Sequence, residues 1–171
     1  MGNSKQSGKR SQSHNLFRKV CLAIGLCVAV SAEAAAQTVT YSVAGVQTAV
    51  EDTSSSFVGV AFGTDGDLAW WQADVNRTPL DPQPASIIGG TFQLDGHLRE
   101  IVGTFRNGLI LRESTSSCRR ETFAVTGLLD VEGGEGFFDL TLTHYRLRVG
   151  AQCITYFATV EGLVAFTLAS D

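Results

Sequence analysis

The sequence predicts an all-β protein: an antiparallel up-and-down β-barrel of about 8–9 strands, with a two-sheet β-sandwich as the alternative. Three observations predict it. Apolar residues recur at every second position rather than at the 3.6-residue period of a helix. The breaks between these runs carry hairpin chemistry, including Asp95-Gly96 and Asn107-Gly108. Glycines recur inside the runs, at Gly59, Gly63, Gly90, Gly103, Gly127 and Gly162, as the sharp coiling of a small barrel requires.

The chain opens on a leader. Lys5, Lys9, Arg10, Arg18 and Lys19 form a basic stretch, and Val20 to Val30 is an unbroken apolar run. Ala34-Ala35-Ala36 then fits the small-residue pattern of a signal-peptidase site. A spanning helix needs roughly 20 apolar residues, and this run is shorter. The expectation is a secretory signal peptide over residues 1–36 and a single β-barrel domain over 37–171, secreted or periplasmic.

The strands follow in order, at 38–50, 56–64, 67–75, 86–94, 97–106, 109–114, 121–130, 136–149 and 152–169. Val39, Tyr41 and Val43 alternate with threonine and serine in the first. In the second, Val58, Val60 and Phe62 alternate with Gly59, Ala61 and Gly63. Trp70 and Trp71 are adjacent in the third, so their rings face opposite sides and one belongs to the core. Ile88, Gly90, Phe92 and Leu94 share a face, as do Ile101, Gly103 and Phe105. Phe123, Val125 and Leu129, then Phe138, Leu140 and Leu142, continue the pattern. The last strand runs from Ile154 and Tyr156 to Phe166 and Leu168. All three prolines fall between Asn76 and Ala85, which marks the long loop. Short connections imply a meander, and closing its sheet removes two exposed edges.

Composition excludes some partners. The 17 acidic residues less Glu33, against 13 basic residues less five in the leader, give the mature chain a net charge of about −8. Nucleic acid needs a basic patch, so it is not an expected partner. A membrane is not expected either once the leader is removed, although a membrane barrel would show the same alternation with its faces inverted. The oligomeric state is not legible.

Cys118 and Cys153 remain after the leader, and an even pair in an oxidising compartment predicts a disulfide. In a meander their strands flank a third, a span of roughly 9–10 Å, too far for direct disulfide geometry. The expectation is therefore that the loop from Thr115 to Arg120 folds back and is pinned as a lid over one mouth.

The chain carries no nucleophile elbow, metal-protease helix, P-loop or dinucleotide fingerprint. No cofactor or metal is called for, and no catalytic residue can be named, which favours a non-enzymatic protein. His97 follows a turn signal and reads as exposed. His144 continues the apolar face of Phe138, Leu140 and Leu142, where it is either a core residue or a polar group at a pocket mouth. Candidate ligand-binding residues are Trp70, Gln72, His144, Arg146 and Tyr156, polar or aromatic groups at ends or gaps of apolar faces.

The segment from Val131 to Phe138 (VEGGEGFF) resembles the glycine-rich hairpin of the allene oxide cyclase and dirigent barrels. That likeness implies a small antiparallel barrel with an apolar cavity. The charged residues of those families have no counterparts to place on this chain, so no site residue follows from it.

The functional expectation is a secreted barrel that binds a small apolar or amphipathic ligand. The alternative is a structural or cell-envelope interaction domain with a filled core. A third reading is a small-molecule cyclase or isomerase. The volume and lining of the barrel interior discriminate between the first two.

Overall fold

The computed structural model describes residues 36–169. The leader falls outside these residues, apart from Ala36. The described chain is a closed barrel of eight antiparallel strands in sequence order, each bonded to the next and β8 back to β1. They are β1 (Gln37–Val50), β2 (Ser54–Gly63), β3 (Leu68–Arg77), β4 (Ala85–Gly96), β5 (Glu100–Ser116), β6 (Arg120–Val131), β7 (Gly134–Val149) and β8 (Gln152–Leu168). Closure leaves no free edge along the barrel wall.

Eight strands replace nine because Asn107-Gly108 is not a turn. The segments expected at 97–106 and 109–114 are one strand, β5, which slips register between Phe105 and Asn107 opposite β6. Gly108 stays paired, with Ile87 of β4 and Gly127 of β6. A side chain there would stand 2.9 Å from the Ile87 Cδ1 atom, so this glycine serves close strand packing and a bulge, not a reversal. The true reversals at Gly66, Gly133 and Gly150 do use positive φ, at 86°, 75° and 63°.

Inward-facing residues make the core. Tyr41, Leu94, Phe123, Phe138 and Phe166 are among its fully buried side chains. In β2 the expected faces are exchanged. Val60 and Phe62 point outward, whereas Gly59, Ala61 and Gly63 face in. The cause is the neighbouring indole. Trp71 lies so close that a Cβ at Gly45 or Gly59 would come within 2.7 Å of it, and its Nε1 donates to the Val60 carbonyl at 3.1 Å. In β4, Ile87 is the core residue and Ile88 is exposed, because Gly89 and Gly90 interrupt the alternation with φ of 153° and 127°.

The two ends of the barrel differ. One gathers the β2–β3 and β4–β5 turns. There the Tyr41 hydroxyl donates to Asp67 Oδ2 at 2.8 Å, and the Leu98 N–H donates to Asp67 Oδ1 at 2.9 Å. Burial disfavours the charged Asp67 carboxylate, but these donors outweigh it and hold its pKa below the usual value. The other end gathers the β1–β2 turn, the proline loop (residues 78–84) and the β5–β6 and β7–β8 turns. Beyond the pair Val46–Thr159, β8 no longer pairs with β1, so its start projects with the end of β7 as a hairpin arm.

Cys118 and Cys153 are bridged, with their Cα atoms 5.4 Å apart. The bridge ties the short 3₁₀ turn Ser117–Arg119 across β7 to the start of β8. The pinned turn lies against β7 in the hairpin arm, and Cys118, Arg119 and Arg120 of the segment expected as a lid do not line the cavity described below.

Candidate functional site: the polar end of the barrel interior

The half of the interior nearer the proline loop is not filled. It contains a cavity of about 60 Å³. Trp71, Phe92, Phe105 and Phe138 wall it, with Val75, Ile87, Ile110, Val125, Leu142 and Val160 around them. Leu80, the half-buried leucine of the proline loop, reaches down into the same space. The loop is held there by Gln83, whose side chain donates to the Leu80 carbonyl at 2.6 Å and accepts from the Arg112 N–H at 3.0 Å. Arg112 also pairs with Asp81 at 3.0 Å.

Four polar side chains share this lining: Gln47, Ser55, Arg77 and His144. Period two explains two of them. Along β3 the inward set is Ala69, Trp71, Ala73, Val75 and then Arg77; along β7 it is Phe138, Leu140, Leu142 and then His144. Each apolar face ends on a base at the same end of the barrel.

Arg77 is 5% exposed. Its guanidinium donates to the carbonyls of Glu51 (2.9 Å), Asp52 (2.9 Å) and Thr78 (3.3 Å) and to the Ser55 hydroxyl (3.3 Å). No carboxylate among the described residues forms an ion pair with it. Burial pushes its pKa down, opposed by the nearby charge of Asp52.

His144 is 6% exposed and meets the Phe123 ring edge-on, with ring centroids 5.1 Å apart. Its Nε2 is buried and meets no hydrogen-bond partner among the described residues. Burial, then the charges of Arg77 and Arg146, lower its pKa to about 4, so the imidazole is neutral at neutral pH. Beside it, Glu121 is buried and pairs with Arg112 Nε at 2.7 Å and Arg146 Nη1 at 3.1 Å. Two guanidiniums, those of Arg112 and Arg146, thus share one buried carboxylate beside His144.

Of the five candidate ligand-binding residues, His144 lines the cavity. Arg146 lies above it, half-buried in the Glu121 pair. The other three lie outside the cavity lining. Trp70 and Gln72 occupy the outward phase of β3; Trp70 is exposed beside Val60, and Gln72 bonds Gln93 at 2.9 Å on the outer surface. Tyr156 lies on the hairpin arm, 68% exposed, where no β1 residue covers it. Arg77, Ser55 and Leu80 were missed. The signal for Arg77 was present: the same argument that singles out His144, a polar residue ending an apolar face, applies to β3 once Trp71 is taken as its inward tryptophan.

The site defines a class, a closed antiparallel barrel with a small apolar chamber and a cationic end. Compared with known proteins, the chain matches no family model, no curated protein and no solved structure.

Proposed function

We propose that this barrel binds a small apolar or amphipathic molecule inside its interior, next to the proline loop. The observation that supports this is the cavity itself: an apolar chamber with a few polar groups at one end and a leucine from a loop over it. Its size bounds the occupant. Pockets for drug-sized ligands are about 300–1,000 Å³, so a chamber of about 60 Å³ suits a compact or short-chained molecule. Polar and charged residues such as Gln72, Asp74 and Glu161 are exposed on the outer surface, interspersed with outward apolar residues such as Val60, Phe62 and Leu163, and this mixture supports a water-facing barrel over one with a continuous apolar band.

Trp71 walls the cavity and reports its occupancy. In a Trp70→Phe background, short alcohols and small aromatic hydrocarbons are expected to shift the emission of Trp71 saturably. Ala73→Leu, which fills the chamber from the same strand, is expected to abolish the response. No saturable response would overturn the binding reading. It would favour a structural or envelope domain with a filled core, a reading supported by the close packing of Tyr41, Leu94 and Phe166 at the far end.

An extracytoplasmic location, secreted or periplasmic, accompanies this proposal. The disulfide is compatible with it, and the leader argument predicts an exported protein that begins at Gln37. Intact mass of the exported protein tests this, and a retained leader would overturn it.

A further inference from the structure

We propose that the polar end of the chamber is an anion seat, and that the occupant is a small carboxylic acid whose head group lies between Arg77 and His144. The proposal rests on the binding reading above and adds the chemical class of the ligand.

Three observations carry it. The first is charge. Glu121 is the buried carboxylate of this end, and it is already shared between Arg112 and Arg146. Asp81, the second partner of Arg112, has a side chain 76% exposed. Among the described residues no carboxylate forms an ion pair with Arg77, and Asp52 acts on it only as a nearby charge, although a buried charge is costly without a contacting partner. The second is donor count. A guanidinium carries five N–H donors, and four hydrogen bonds from Arg77 reach described acceptors. One N–H on Nη2 is left for a ligand. The third is the buried, unpartnered Nε2 of His144, which lines the same chamber. Leaving such an atom unmet costs about 1–3 kcal/mol, and a carboxylate oxygen would accept its proton.

The alternatives fit less well. An amine would meet Arg77, Arg112 and Arg146 with like charge. An alcohol would satisfy His144 but leave the Arg77 charge uncompensated. A long acyl chain exceeds the chamber.

A bound anion would also stabilise protonated His144. The charges that lower its proton affinity are Arg77 on β3 and Arg146 on β7; Glu121 on β6, paired with Arg146 and with Arg112 on β5, lies beside it. An added negative charge there opposes those of Arg77 and Arg146, so occupancy and proton uptake become linked.

The test compares pentanoate, 1-pentanol and pentylamine, which share one chain and differ in head group, by calorimetry and Trp71 emission at pH 7. Pentanoate is expected to bind at least tenfold more tightly than 1-pentanol, and pentylamine more weakly than either. NMR titration of His144 is expected to show its pKa raised by pentanoate and unmoved by 1-pentanol. Arg77→Gln should erase the preference for the acid. Because Arg77 also holds the β1–β2 turn, His144→Phe, which keeps the packing on Phe123, provides a second variant and should reduce the preference several-fold. Equal affinities for acid, alcohol and amine would overturn the anion seat while leaving the apolar chamber as a binding site. Failure of all three to bind would overturn the binding reading as well.

Discussion

Tyr41 and Asp67 close one end of the barrel through a single hydrogen bond, hydroxyl to carboxylate, at 2.8 Å. Both residues are almost completely buried. The tyrosine fills the core, and its one polar atom is matched to a carboxylate from the β2–β3 turn. Burial and then this bond raise the tyrosine pKa, so the phenol stays protonated and remains the donor.

Tyr41→Phe removes that donor and leaves Asp67 with fewer partners. The expected loss is roughly 1.5–3 kcal/mol in urea unfolding, as for other hydrogen bonds to a charged group. Asp67→Asn should cost a similar amount. The Asp67 pKa is depressed in the folded state, so its contribution is present above the unfolded pKa and declines as pH falls through the folded one. The loss caused by Asp67→Asn should therefore shrink in acid. A loss that grows in acid would contradict the assignment.

His144 behaves differently with pH. Its pKa is about 4 when folded, against 6.5 for the free side chain. Between those values the unfolded chain holds more protons, so stability should fall as pH drops from about 6.5 towards 4. The loss should be on the order of 2 kcal/mol. His144→Phe should flatten this part of the profile. An unchanged slope would place the titration elsewhere.

Gly59→Ala tests the exchanged face of β2. A methyl group there would press on the backbone of β1 and stand 2.7 Å from Trp71 Nε1. The expected cost is about 1–3 kcal/mol, the usual range for overpacking. A double variant with Trp71→Phe should recover part of it, because a smaller ring frees space. No recovery would leave the backbone contact with β1 as the whole cause.

Replacing both Cys118 and Cys153 with serine should lower stability by roughly 2–4 kcal/mol, from the chain entropy released in the unfolded state. The barrel closes through hydrogen bonds between all adjacent strands, so far-UV circular dichroism of the double variant should match the parent. Loss of the β signal would make the bridge essential to folding.

How much of this was legible in sequence depended on which physical quantity decided each feature. Alternation in β1, β6 and β7 placed Tyr41, Phe123 and Phe138 correctly, because apolar and polar residues simply take turns there. In β2 both phases are apolar or small. The inside was decided by the bulk of Trp71 on the next strand, a non-local fact. Asn107-Gly108 carries a hairpin signal, yet pairing on both sides held β5 straight through it. Tyr156 continues the period of β8 faithfully, but the period cannot reveal that the pairing of β8 with β1 ends before it. Arg77 could have been found beside His144, since both end apolar faces. The Leu80 contact could not, because it depends on how an irregular loop folds over the barrel.

The closed end defined by Tyr41 and Asp67 makes this barrel a blind tube. On the binding reading proposed above, an occupant of the chamber would leave on the side by which it entered, past Leu80 and the proline loop. A second molecule cannot push the first out from behind. Exchange of one occupant for another is then governed by spontaneous departure, at a rate that does not depend on how much competitor is present. Competitor concentration would then set only what enters next.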